Sequence, residues 1–129
     1  MKIKRQPSRL QKKAKRGFRG YPLATVAFYG PDASRASKVA VGIVVEDDGP
    51  AVAMERWTSA TGDVRRDARI GEEIIEFIRL HEAMTVLMTD RIIGCPHEEA
   101  IDYPEGEVCP MCPYWADRDR WSGDQLSEQ

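Results

Sequence analysis

Three cysteines and one of the two histidines fall within residues 95–112, in the string C-P-H-E-E-A-I-D-Y-P-E-G-E-V-C-P-M-C-P that runs from Cys95 to Pro113. The pattern is Cys95-x-His97, eleven residues, then Cys109-x-x-Cys112. Zinc favours four soft or borderline ligands in a tetrahedron, and two ligands one or two residues apart reach a single ion from one tight turn. Two such turns close a site. Pro96, Pro110 and Pro113 suit this arrangement, because proline limits the backbone freedom lost on binding. The expected cofactor is one structural Zn2+ held by Cys95, His97, Cys109 and Cys112. Four protein ligands leave no position for water or substrate. An odd number of cysteines also argues against a secreted disulfide framework, and a redox dithiol at Cys109–Cys112 lacks the usual following helix because Pro113 stands directly behind it.

Enzyme chemistry can be read from the same residues. Zinc nucleobase deaminases carry H-x-E followed by P-C-x-x-C, with the glutamate as acid and base. Here His97-Glu98-Glu99 precedes Cys109-Pro110-Met111-Cys112, but Val108 stands where proline is required. Eleven residues are too few for the helix and strand that separate the two motifs, and Cys95 has no role in that scheme. A zinc-dependent hydrolase or deaminase with Glu98 or Glu99 as base is therefore the alternative to a structural site. A magnesium site of the ribonuclease-H-like kind, from Asp32, Glu76 and Asp90, rests on element order alone. Asp90 could line a site at the end of its strand, although a turn cap or an arginine pair explains it more simply. His81 suits a helix C-terminus, where its charge favours the dipole.

Charge is distributed unevenly. Lys2, Lys4, Arg5, Arg9, Lys12, Lys13, Lys15, Arg16 and Arg19 give the first nineteen residues nine cations and no acid, so the net −2 of the chain hides a strongly acidic remainder. A basic arm on an acidic body implies a polyanionic partner, RNA, DNA or a ribonucleoprotein, or an arm that lies on its own body. Phe18 and Tyr21 add rings that could stack on bases. Tyr114, Trp115 and Trp121, with the Asp117–Arg120 charge run, offer a protein-interaction surface, or else fold back on the metal lobe.

Those residues need a scaffold. Leu23–Tyr29 is rich in β-branched, aromatic and small apolar residues and stops at Gly30-Pro31-Asp32. Val39, Val41, Ile43 and Val45 alternate with Lys38, Ala40, Gly42 and Val44, a period of two that buries the first set. Asp47-Asp48-Gly49-Pro50 makes a turn, and Val52–Thr58 pairs back. Residues 67–81 predict a helix with Asp67 as cap and Ile70, Ile74, Phe77 and Ile78 inward. Met84–Met88 is a fourth strand, expected to lie parallel to one strand of the meander. The predicted fold class is α+β: a three-stranded antiparallel meander, one crossover helix, a fourth strand, and a C-terminal loop lobe ordered by zinc.

The expected organisation is a basic flexible tail over 1–21, a single zinc-binding domain over 22–121 with its metal lobe at 91–121, and a frayed end over 122–129. A short helix is allowed over Arg9–Lys15, with only Leu10 and Ala14 on its apolar face. No apolar run reaches the ~20 residues needed to span a bilayer, and no apolar stretch follows the basic start. The expectation is a cytoplasmic protein. At 129 residues and 42% hydrophobic content there is enough chain for one core.

Three runs carry a resemblance: G-F-R-G-Y-P-L-A-T-V-A-F-Y-G-P at 17–31, M-T-D-R-I-I-G-C-P-H-E-E at 88–99, and D-Y-P-E-G-E-V-C-P-M-C-P-Y-W at 102–115 with R-D-R-W at 118–121. Over Gly17–Trp121 the chain resembles a family of short uncharacterised bacterial proteins. The resemblance implies a bacterial origin and brings no activity with it.

Overall fold

The computed structural model describes residues 9–107 and 109–116. Lys2, Lys4, Arg5, Trp121, the Asp117–Arg120 run and the 122–129 end lie outside the described residues, as does the side chain of Asp90.

Helix α1 spans Arg9–Lys15, strand β1 Leu23–Tyr29, β2 Lys38–Val44, β3 Ala51–Thr58, helix α2 Ala68–Leu80 and strand β4 Thr85–Ile92. The strands form one sheet in the order β3-β2-β1-β4. β2 pairs antiparallel with both β1 and β3, and β4 lies parallel to β1. This is the predicted α+β arrangement, with its meander, its helix and its parallel fourth strand.

The period of two in β1 and β2 does what it predicts. Ala24, Val26, Phe28, Val39, Val41 and Ile43 are buried in one core with the inward face of α2. Registers Ala24↔Ile43, Val26↔Val41 and Phe28↔Val39 put these residues opposite one another, so the apolar side chains meet across the strands. Val45 departs from the pattern. β2 ends at Val44, and Val45 is 47% exposed just beyond it. β3 is an edge strand with mostly exposed side chains, and Trp57 is its main contribution to the core.

Helix α2 begins where Asp67 accepts from the backbone N–H groups of Arg69 and Ile70, at 2.9 and 3.1 Å, a cap worth about 1 kcal/mol. It buries Ile70, Ile74, Ile75 and Ile78, roughly 1.5–3 kcal/mol for each side chain removed from water. Trp57 reaches across from β3. Its indole N–H donates to Glu73 Oε1 at 2.9 Å and its ring meets Phe77 edge-on at 6.1 Å.

The segment expected to be a flexible arm is, from Arg9 onward, held to the body. Leu10 is buried in the main core with Ala14 packed beside it. Arg9 pairs with Glu72 of α2 at 3.3 Å.

Asp63 fastens the loop after β1 to the start of the helical region. It accepts from the Ala36 backbone N–H at 3.1 Å and from the Arg65 guanidinium at 2.6 and 2.9 Å. The hydrogen bond from Arg65, the largest influence on it, holds its carboxyl down at about 2 against an ordinary 3.8. A carboxyl with a depressed folded pKa stabilises above its unfolded pKa and loses that contribution as pH falls through the folded value. The contribution is therefore full above about pH 5, begins to shrink near 4 and is lost as the pH falls through 2; it is worth about 2 kcal/mol. Urea unfolding of the wild type and Asp63→Asn should differ by about that amount at pH 7 and converge near pH 2.

Candidate metal centre

β4 delivers the chain to one end of the sheet, and the lobe that follows is joined there by backbone and side-chain bonds. Ile93 N–H donates to Phe28 O at 2.9 Å and Gly30 N–H donates to Gly94 O at 2.8 Å, which extends the β1–β4 ladder to the edge of the metal loop. From the far end of the lobe, the Trp115 indole N–H donates to Gly30 O at 2.8 Å. Trp115 packs against both the main core and the small cysteine cluster.

The four predicted ligands come together. One donor atom from each of Cys95, His97, Cys109 and Cys112 lies within 4.8 Å of the others. His97 Nδ1 stands 3.2 Å from Cys95 Sγ and 3.5 Å from both Cys109 Sγ and Cys112 Sγ. The backbone N–H of His97 donates to Cys95 Sγ at 3.2 Å, so the first turn already aims its sulfur inward. All three cysteines are buried and free of disulfides. Burial pushes the Cys95 thiol up to about 12, against the backbone N–H of His97, and raises the Cys112 thiol as well. Three thiols crowded around one imidazole nitrogen, desolvated and not cross-linked, are a donor set that a dication would convert to thiolates. These residues are close enough to hold one metal ion.

The loop between the ligand pairs is built from its own polar contacts. Glu98 N–H donates to Asp102 Oδ2 and Asp102 N–H to Glu98 O, both at 2.7 Å, and Ala100 N–H donates to Tyr103 O at 2.8 Å. Gly106 N–H donates to Glu99 Oε2 at 2.6 Å.

A clamp that the sequence did not disclose fixes this loop to the sheet. Lys38 Nζ, nine-tenths buried, donates to Pro96 O at 2.8 Å and to Glu98 Oε2 at 2.6 Å. Arg56 grips the same carboxylate with Nε at 2.6 Å and Nη2 at 3.1 Å. The Lys38 ammonium first, and the Arg56 guanidinium after it, hold the Glu98 carboxyl below its usual range. In sequence Lys38 is a polar residue at an alternating strand position. Its only signal was a cation opening an otherwise apolar strand.

These contacts bear on the enzymatic alternative. A general base needs a carboxylate within reach of a proton on substrate or water. Glu98 has two cations on its oxygens and Glu99 closes its own loop, so both side chains are used to shape the metal loop. Asp32 is occupied by Ser34 N–H and Oγ at 2.8 and 2.6 Å, and Glu76 by Arg79 at 3.0 Å. His81 closes α2, donating its backbone N–H to Phe77 O, with its ring 4.6 Å from that of Phe77. Trp115 spends its indole N–H and much of its surface on joining lobe to sheet.

Of the nine predicted arm cations, Arg9, Lys12, Lys13, Lys15, Arg16 and Arg19 are described. Lys12, Lys15, Arg16 and Arg19 are exposed, and among the described residues no carboxylate pairs with them. Among the described residues no helix is long and apolar enough to cross a membrane.

No protein-family model matches the chain, and no curated protein or solved structure shows significant similarity to it.

Proposed function

We propose that the chain is a small structural-zinc protein, a binding module that uses one Zn2+ to order its C-terminal lobe over 91–121 and docks on nucleic acid or a ribonucleoprotein through its basic N-terminal segment. The observation that carries the metal half is the set of sulfur-to-nitrogen distances. Zinc–sulfur bonds of about 2.3 Å and zinc–nitrogen bonds of about 2.0 Å at the tetrahedral angle place the two ligand atoms about 3.5 Å apart. The three sulfur atoms stand at 3.2, 3.5 and 3.5 Å from His97 Nδ1. Three thiolates and an imidazole suit zinc among the available divalent metals. Their negative charge blunts its Lewis acidity, and a full set of protein ligands leaves it architectural. Native mass spectrometry should find one zinc per chain, lost on treatment with a strong chelator.

The docking half is supported by the placement of cations on α1. Leu10 and Ala14 turn inward, which leaves Lys12, Lys15 and Arg16 on the outer face with Arg19 just beyond. A polyanion gains from such a stripe by releasing counterions. Deleting residues 1–20 would also remove Leu10 from the core, so neutralisation is the cleaner test. In Lys12→Gln, Lys15→Gln, Arg16→Gln and Arg19→Gln combined, the slope of log affinity against log salt should fall by about 0.7 to 0.9 for each phosphate contact removed. An unchanged slope measured by fluorescence anisotropy would place the polyanion elsewhere on the surface. The protein is proposed to act in the cytoplasm.

A further inference from the structure

The loop that joins α1 to β1 carries a feature that a purely electrostatic contact does not require. Phe18 is 65% exposed. A phenylalanine left in water forgoes roughly 1.5–3 kcal/mol of burial. The ring is nevertheless held in place. It stands edge-to-face on Tyr21, with centroids 5.4 Å apart and planes at 71°, a geometry aromatic pairs prefer. Tyr21 is itself partly buried, and that desolvation, with the charge of Asp47 after it, pushes its phenol up. On the other side of Phe18 the backbone is pinned. Arg19 N–H donates to Thr85 Oγ1 at 2.8 Å, and the same buried hydroxyl donates to Gly20 O at 2.7 Å. Gly17 and Gly20, at φ of 77° and 109°, bracket the segment with left-handed turns that other residues adopt at a cost. Phe18 is thus presented by an anchored loop, with exposed cations at Arg16 and Arg19 on either side of it.

We propose that this surface recognises single-stranded nucleic acid, with a base stacked on Phe18 and the neighbouring phosphates taken by Lys12, Lys15, Arg16 and Arg19. The inference deepens the nucleic-acid reading above and rests on it. In a duplex the base faces are occupied by their neighbours, so an exposed ring gains nothing there and cations alone suffice. In a single strand every base offers a π-face, and pairing a stacking ring with a cationic track is how such strands are held without reading sequence. The acids Asp47 and Asp48, in the β2–β3 turn and near enough for their charges to act on the Tyr21 phenol, disfavour a strand running toward that turn. The path that keeps phosphates on cations runs from Phe18 back along α1.

The test uses the full chain with its metal, a fluorescein-labelled oligouridylate and a duplex RNA of the same length. Phe18→Leu should weaken oligouridylate binding about tenfold while leaving its salt slope and the duplex affinity unchanged. Phe18→Trp should bind at least as tightly as wild type, with its fluorescence quenched when the oligouridylate is added. Because Phe18 is exposed, neither variant threatens folding. If the wild type prefers the duplex, or if Phe18→Leu binds the oligouridylate as tightly as wild type, the single-strand assignment fails while salt-dependent docking stands. If neither RNA binds at low salt, both assignments fall together and the surface belongs to a protein partner.

Discussion

Cys109→Ser should unfold the lobe from Cys95 to Ala116 and leave the sheet intact. Beyond the Lys38–Glu98–Arg56 clamp and the Trp115 indole bond to Gly30, the lobe has little else to hold it. Its buried cluster consists of Cys95, Tyr103, Cys109 and Cys112, with Trp115 packed alongside, and its backbone bonds are turns within the loop. Fixing a residue costs roughly 1–2 kcal/mol of backbone entropy, so some twenty residues need far more than one tyrosine, one tryptophan and one ion-pair clamp can return. Structural zinc in small peptides supplies on the order of 10 kcal/mol, and there binding energy is folding energy. A serine hydroxyl is a hard, weakly acidic donor that replaces thiolate poorly. An amide-correlation spectrum of Cys109→Ser should show residues 95–116 and the Trp115 indole N–H at random-coil positions. The amides of β1, β2 and α2 should keep their native shifts, because that core is built from Ile, Val, Phe, Ala and Leu side chains outside the cysteine cluster. Chelator added to the wild type should give the same pattern. Native shifts in both halves of the variant would mean that the loop folds by its own contacts and that the metal is incidental.

That division of labour also explains which features could be read in advance. β1 and α2 were legible because their limits are set locally: Gly30-Pro31-Asp32 stops the strand, and Asp67 caps the helix. The convergence of Cys95, His97, Cys109 and Cys112 was legible because two closely spaced Cys/His pairs are the pattern a metal site would demand, and turn spacing is a property of sequence. What could not be read depends on partners far along the chain. Lys38 and Glu98 are sixty residues apart, and nothing local distinguishes a lysine that will be buried from one that will be solvated. Ile75 lies beside Ile74 rather than on the predicted stripe, yet it is buried because α2 has α1 as well as the sheet to pack against. The docking of α1 turns on a single leucine finding the core, which a two-residue apolar face gave little reason to expect. β3 hid its outward character because an edge strand has no second neighbour to demand a buried face.

Gly30→Ala should be the most damaging single-atom addition to the sheet, and the contrast with Gly71→Ala should show why. A Cβ on Gly30 would collide with the backbone carbonyl oxygen of Arg35. That oxygen cannot easily retreat. The Arg35 side chain is anchored on Gly62 O at 2.6 Å, the next residue's N–H is held by Asp63 and Ser37 N–H is bonded to Tyr29 O. The alternative is for Gly30 itself to shift, but its N–H is bonded to Gly94 and its carbonyl receives the Trp115 indole. Either movement breaks a tie, one within the sheet's loop or one between sheet and lobe. The expected loss is about 3 kcal/mol in urea unfolding, at the upper end for overpacking, accompanied by a shift of the Trp115 indole N–H resonance. Gly71 lies inside α2, where an added methyl would meet nothing within 4 Å, so alanine there should stabilise by about 0.5–1 kcal/mol through helix propensity alone. Opposite signs at the two glycines would locate the steric constraint at the junction between sheet and lobe. A Gly30→Ala protein within about 0.5 kcal/mol of wild type and with an unmoved indole signal would mean that the Arg35 loop yields, and that the two halves are joined chiefly through the Lys38–Glu98–Arg56 clamp.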